Sequence, residues 1–342
     1  MTYHDLLMTK TKNNMDAPSG QENSSSAYSY LLGASLAVGI GVMLIKRRFG
    51  GGICRSLAMM HGKTVIITGA NTGIGKETAL DLARREARVI LACRDLNKAE
   101  NTAAEIRRQI GSNSQGVVIV KRLDLASLKS VNEFCDDILQ CEDRLDVLVN
   151  NAGIFQCPLW KTEDGFEMQY GVNHLGHFLL TNRLLELIKK SAPSRIVNVS
   201  SSLYKRGKID FENLNFEKHP YNKVAAYANS KLAGVICGRE LHRQLEGSGV
   251  SVYTLHPGVI RTELGRHFPW WQLKLAFPIM WLFMKSPVQG AQTTIHCVVA
   301  GELEGVSGCY YGDCKEEPFP VTHDDAVAKK LWEVSEKMTG LA

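Results

Sequence analysis

The sequence predicts a doubly wound α/β domain built on a parallel sheet, and three observations carry that prediction. Short apolar runs such as "TVIIT" (64–68) and "RVILA" (88–92) are nearly unbroken, as strands buried on both faces require. Amphipathic stretches of helical length fill nearly every gap between them, which supplies the two covering layers. The first run leads into a turn rich in glycine, "TGANTGIGKETA", from which a helical pattern emerges.

Taken in order, the expected strands are 64–68, 88–92, 117–125, 146–151, 195–200, 250–256 and 308–312, about seven in all. Asp95 precedes "LNKAENTAAEIRRQI" and is suited to cap that helix through its carboxylate. No internal repeat interrupts the series, so 61–342 is expected to be one domain.

The N-terminus differs. Residues 1–27 are rich in polar residues, Ser and Asn foremost with Lys and Gln among them, the composition of a disordered tail. Residues 28–45, "YSYLLGASLAVGIGVMLI", carry no charge and reach the lower length for a membrane-spanning helix. Lys46, Arg47 and Arg48 follow and open a basic linker, 46–60. Positive charge after the apolar run points the rest of the chain to the cytosol, and a cleaved signal peptide has the opposite arrangement. A spanning signal anchor is therefore expected; because Gly and Ser dilute the run, an interfacial anchor is its rival.

The chain has 342 residues and a formal net charge of +5 with no basic stripe, which argues against a nucleic-acid partner. Nine scattered cysteines form no CxxC pair and no zinc spacing, as expected of free thiols in a reducing compartment. His174 and His177 stand three apart without an evident third ligand, so no metal is expected.

Gly69, Gly73 and Gly75 answer for the turn. Glycine allows positive φ there and lets a pyrophosphate approach the backbone, with the helix N-terminus supplying unpaired N–H groups. That is the Rossmann arrangement for a dinucleotide, though the spacing is G-x-x-x-G-x-G. At the end of the second strand, an NAD site usually has an acid for the ribose hydroxyl. Here that place falls on Cys93, and the next residue, Arg94, is suited to a 2′-phosphate, so NADP(H) is the expected cofactor. Lys76 either adds positive charge to the site or is simply solvated.

"YANSK" sets Tyr227 and Lys231 on one face of a helix. A tyrosine with its pKa near ~10 is a poor base at neutral pH, and a nearby ammonium is expected to lower that value. Tyr227 is then the candidate group for moving a proton on or off a substrate oxygen.

With these residues the chain resembles the short-chain dehydrogenase/reductase family from about Gly62 onward. "TGANTGIG", "LDL" (123–125), "NNAG" (150–153), "GVNHLGHF", "IVNVSSS", "YANSK" and "LHPGVIRTEL" follow the family's order. The resemblance implies a catalytic tetrad of Asn173, Ser201, Tyr227 and Lys231. Ser201 orients the substrate oxygen, Tyr227 is the acid/base, Lys231 lowers its pKa and holds the nicotinamide ribose, and Asn173 anchors a linking water. Ser200 and Ser202 are strand-end and turn residues. It further implies cofactor contacts at Gly69, Ala70, Asn71, Thr72, Gly73, Ile74 and Gly75, at Arg94, Asp124 and Asn151, at Tyr227 and Lys231, and at Pro257, Gly258 and Thr262.

Within the family, "VILACRD", "TEDGFEMQYGVNHLGHFLLTN" and "YYGDCKEE" are similar to the membrane-anchored retinol dehydrogenases. This implies an NADP(H)-dependent enzyme interconverting retinol and retinaldehyde, reducing all-trans-retinal in cells, in the endoplasmic reticulum rather than the mitochondrial outer membrane. The alternatives are a reductase of steroid ketones or fatty aldehydes, and a non-catalytic protein of the same fold. Two departures from the subgroup are Glu86, where glycine usually closes the helix, and "AGVICGREL" after Lys231. Two segments are expected to border an apolar substrate: the 25 residues between Ser201 and Tyr227, and the aromatic run 268–285. The latter has ordinary packing under the sheet edge, or a homodimer contact, as its alternative role.

Overall fold

The computed structural model describes residues 22–218, 220–261, 281–319 and 325–342. The chain divides into two compact units after Arg47. In the first, helix α1 runs from Glu22 and ends at Phe49, just past the division. It contains one stretch, Tyr28–Phe49, long and apolar enough to cross a membrane, with a mean hydropathy of 1.8. Residues 22–27, read from composition as disordered, are helical, because adding residues to an existing helix avoids the cost of nucleation.

The second unit follows the predicted alternation. In chain order come β1 (Thr64–Thr68), α2 (Gly73–Arg84), β2 (Arg88–Cys93), α3 (Leu96–Ile110), β3 (Val117–Arg122), α4 (Leu128–Cys141) and β4 (Val147–Asn150). Then follow α5 (Met168–Tyr170), α6 (Gly176–Lys190), β5 (Ser194–Val199), α7 (Lys223–Gln244), β6 (Val250–His256), α8 (Pro287–Val299), β7 (Cys309–Gly312), β8 (Lys315–Glu317) and α9 (Asp325–Thr339). The sheet order is β3-β2-β1-β4-β5-β6-β7-β8, parallel except for β8. Successive strands step outward from β1 to β3, and β4 returns to the other side of β1. The crevice at this reversal, beyond the strands' carboxyl ends, is where such sheets bind ligands.

Burial explains the unbroken apolar runs. Val65 and Ile67 of β1 face one core with residues of α2, α3 and α8. Ile66 faces the other, with residues of α4, α6, α7 and α9. Each strand therefore needs apolar side chains at successive positions.

Three local outcomes differ from expectation. Strand β3 stops at Arg122, short of "LDL", because the Asp124 carboxylate turns the chain by accepting the Ala126 N–H at 3.0 Å. An eighth strand, β8, extends the expected seven. It folds back on β7 through Asp313 and Cys314, both at positive φ (51° and 58°), as a two-residue hairpin requires. Glu86 does occupy the left-handed region (φ 68°), at a cost on the order of 1 kcal/mol. Its carboxylate lies 2.7 Å from His61 Nδ1.

The latter part of the expected linker is bound to the domain as an extended strap. Cys54 N–H donates to Gln292 Oε1 (3.0 Å), and Ser56 Oγ donates to the Val299 carbonyl (3.0 Å). Arg85 donates to the carbonyls of Ser56 and Ala58.

Candidate active site

The floor of the crevice is set by Thr68, the last residue of β1. Its hydroxyl oxygen accepts the N–H groups of Asn151 and Ala152, both at 2.9 Å, just past β4. Asn151 Nδ2 returns a bond to the Thr68 carbonyl (2.8 Å). Thr68 Oγ1 also lies 2.9 Å from His177 Nε2, and His177 Nδ1 lies 3.3 Å from the Asn173 carbonyl. Burial pushes His177 down to about 3, so the ring is neutral at physiological pH. The acceptor at Asn173 assigns its proton to Nδ1, leaving Nε2 to accept from Thr68.

The glycine turn leaves β1 with Gly69 at φ 65° and Gly73 at φ 57°. A Cβ on Gly75 would sit 2.6 Å from Asn151 Nδ2 and 2.7 Å from the Gly69 carbonyl; one on Gly69 would sit 3.0 Å from Ala152. Only bare backbone fits. At the start of α2, Thr72 makes no side-chain cap, leaving the first-turn N–H groups to an anion. A glycine-lined cleft at a helix N-terminus, open at the switch point of the sheet, fits a dinucleotide pyrophosphate. Cys93 helps hold the turn: its sulfur accepts from the backbone of Ala70 and Asn71, while burial pushes the thiol up to about 11. Thr102 Oγ1 donates to the Asn71 carbonyl at 3.0 Å. Lys76, the uncertain cation of the sequence, is paired with Glu105 at 2.7 Å.

Asn173 lies in a single π-helical turn, Gly171–Leu175, between α5 and α6. Such turns are rare and concentrate at functional sites. Its amide oxygen accepts Ile154 N–H (2.9 Å), and its nitrogen donates to the Ile154 carbonyl and Ser230 Oγ (both 3.0 Å).

Tyr227 and Lys231 share a face of α7, as their spacing predicts, and both are buried. The Lys231 ammonium donates to the Val199 carbonyl (2.9 Å) and lies 5.9 Å from the centre of the tyrosine ring. Burial pushes Tyr227 up to about 12, a hydrogen bond to Ser201 pulling the other way. Burial also pushes Lys231 down to about 8. Desolvation is the larger influence on the phenol, and the ammonium is held at the end of β5. Ser201 itself caps the short 3₁₀ turn Ser202–Arg206, and Ser200 Oγ donates to the Lys231 carbonyl (3.3 Å). Phe155 packs edge-on against the Tyr227 ring, centroids 4.5 Å apart.

One cleft is lined by Gly69, Asn71, Thr72, Gly73, Ile74, Gly75, Asn151, Ser201, Tyr227, Lys231, Pro257 and Gly258. Four expected residues are not in its lining. Ala70 is buried beneath the turn, Asn173 lies behind Lys231, Asp124 is engaged in its own turn beyond β3, and Arg94 is exposed just past β2. Thr262 lies outside the described residues, as does most of the run 268–285. Residues that the sequence reading missed are Thr68, His177 as its partner, Phe155 and Lys285; Thr68 alone had a signal, its place directly before the glycines.

The short chain dehydrogenase family pattern matches residues 63–272. Retinol dehydrogenase 14 of Homo sapiens is 54% identical over 324 residues, covering 89% of this chain and 96% of that protein. Among solved structures, an uncharacterized protein from Mycobacterium paratuberculosis superposes with a TM-score of 0.66 at 35% identity, over 85% of this chain and 98% of its own. A protein from Beutenbergia cavernae with NADP bound at low occupancy gives 0.58 at 25% identity, over 74% and 95%. The chain belongs to the short-chain dehydrogenase family, and it is an oxidoreductase of the nicotinamide-dependent kind.

The depressed Lys231 makes a prediction with a definite sign. Between about 8 and the unfolded value near ~10.4, the unfolded chain binds a proton that the folded one does not, so stability rises with pH. Below that window the buried charge costs on the order of 3 kcal/mol. The melting temperature of wild type minus that of Lys231→Met is expected to increase from pH 8 to pH 10; a flat or falling difference would contradict the assignment.

Proposed function

We propose that this protein is an NADP(H)-dependent reductase of an apolar aldehyde, with retinaldehyde the substrate and retinol the product. The observation that carries the reading is a buried tyrosine, hydrogen-bonded to Ser201, at the edge of a glycine-lined cleft that fits a dinucleotide. The human relative's name, a retinol dehydrogenase, supports the substrate class.

When bound, the nicotinamide supplies the hydride. The protein's part is to bind the carbonyl and manage one proton. The Ser201 hydroxyl and the Tyr227 phenol approach the carbonyl oxygen together, and Phe155 fixes the plane of the phenol. As negative charge grows on that oxygen, the phenol proton moves to it. A phenol held near 12 keeps its proton at neutral pH, so it is poised as an acid, the role reduction requires. Lys231, near 8, has a proton to return to the phenolate. Asn173, fixed by three bonds in the π-turn, holds the water that joins Lys231 to solvent.

NADP(H) is favoured because β2 ends in Cys93 rather than an acid, and because Arg94 follows it exposed. The apolar stretch 28–45 anchors the chain, with 1–27 as tail, 46–60 as basic linker and 61–342 as catalytic domain. Positive charge at Lys46, Arg47 and Arg48 supports a cytosolic catalytic domain, and the endoplasmic reticulum is the membrane we assign to it. An anchor beside the catalytic domain suits a substrate that partitions into lipid.

Two variants test the reading. Tyr227→Phe keeps the ring and loses the proton, so NADPH-driven retinal reduction should fall by ~10²–10⁴-fold while NADPH still binds. Wild-type turnover in that variant would refute the acid assignment, and greater activity on a sterol ketone than on retinal would refute the substrate. Arg94→Ala removes a charge-assisted phosphate contact worth roughly 1.5–3 kcal/mol, so it should weaken NADPH about tenfold or more and leave NADH unchanged. Equal weakening of the two, read by titration of cofactor fluorescence, would refute the NADP preference.

A further inference from the structure

Lys285 is almost fully buried although it lies far from Tyr227 in sequence. Its backbone bridges the segment that follows β6: Lys285 N–H donates to the Val259 carbonyl (2.9 Å), and Arg261 N–H donates to the Lys285 carbonyl (3.1 Å). Its ammonium donates to the Pro257 carbonyl (3.3 Å) and is paired with the Asp313 carboxylate on the β7–β8 turn. The lysine side chain is closely packed, whereas the Asp313 carboxylate is half exposed. A Cβ on Gly258 would meet Lys285 Cε at 3.0 Å, and one on Gly52 would meet the Asp313 carbonyl at 1.8 Å. Gly51, in the strap that follows α1, closes over the ammonium in the same way.

Pro257, Gly258 and Ile260 line the cofactor cleft opposite the glycine turn. Gly258 has φ 86° and adds little stiffness of its own, so something else must fix this wall. We infer that Lys285 is the positioning residue for that wall: with Asp313 it ties Pro257–Ile260 to the β7–β8 turn and to the strap Gly51–Gly52. The strap that leaves the apolar N-terminal helix is thus part of the support for the cofactor cleft. A buried ammonium suits the task. Removing either partner would leave the other charge without a counterion, so the pair forms only in the register that also closes the wall.

The inference rests on the reading of the cleft as a dinucleotide site, and the experiment keeps the two apart. Full-length protein in detergent micelles is titrated with NADPH and with NADH, followed by cofactor fluorescence, for wild type, Lys285→Met, Asp313→Asn and Gly52→Ala. Failure of wild type to bind either cofactor would overturn the cleft reading itself. Given binding, Lys285→Met and Asp313→Asn are expected to weaken NADPH and NADH by the same factor, about tenfold for a lost charge-assisted bond. Gly52→Ala, which pushes the strap off Asp313, should weaken both in the same direction. The Michaelis constant for cofactor should rise while turnover at saturating cofactor stays within about threefold of wild type. Unchanged dissociation constants alongside a lower melting temperature would mean a merely structural lysine and would overturn the inference. Selective loss of NADPH would overturn it too. If Lys285→Met does not fold, Asp313→Asn decides.

Discussion

The Thr68 hydroxyl joins three parts of the chain that sequence order keeps far apart. It receives two backbone N–H groups from the turn after β4, and through His177 it reaches the backbone of the π-turn that carries Asn173. Thr68 is itself the last residue before the glycines. The glycine turn, the β4 turn and the start of α6 are therefore set relative to one another by one oxygen. The close approaches at Gly69 and Gly75 depend on that placement, since Ala152 and Asn151 are the groups a Cβ would strike.

The network works because its members are neutral. His177 can accept from Thr68 only without a proton on Nε2, and burial holds it in that state. The same desolvation favours the phenol form of Tyr227 and lowers Lys231, which still carries its proton at neutral pH. Burial that orders the site thus also sets its chemistry: a phenol with a proton to give, beside an amine that can replace it. The buried ammonium of Lys285, away from this network, is paired with the Asp313 carboxylate.

Much of this was legible in the sequence, for physical reasons. Unbroken apolar runs reveal strands buried on both faces, and the glycine turn and the Tyr–Lys spacing mark residues that the fold brings to one cleft. Asp95 caps α3 as its position before the helix suggests, with its carboxylate on Lys98 N–H at 3.0 Å. What stayed hidden depended on contacts between distant segments. Strand β8 has three charged residues and an Asp-Cys turn in place of a glycine signal. The length of β3 was misjudged because Asp124 spends its carboxylate on a local turn. Charge spacing along a helix is readable, whereas the depth of burial that pushes the Tyr227 phenol up is not. Lys285 lies within an aromatic run whose composition suggests a border of the substrate site, and nothing there signals a partner at Asp313.

The central claim is that one hydroxyl sets the geometry of the cofactor cleft, and Thr68→Val tests it most directly, since the side chain keeps its shape and loses its oxygen. The Ala152 N–H would lose its acceptor, at about 1–3 kcal/mol, and the Asn151 N–H would keep only the Val149 carbonyl. Cofactor titration of Thr68→Val against Thr68→Ser, which restores the hydroxyl, is the measurement. The account predicts that the valine variant binds NADPH at least about tenfold more weakly than wild type, with the serine variant close to wild type. NADPH binding by the valine variant equal to wild type would contradict it.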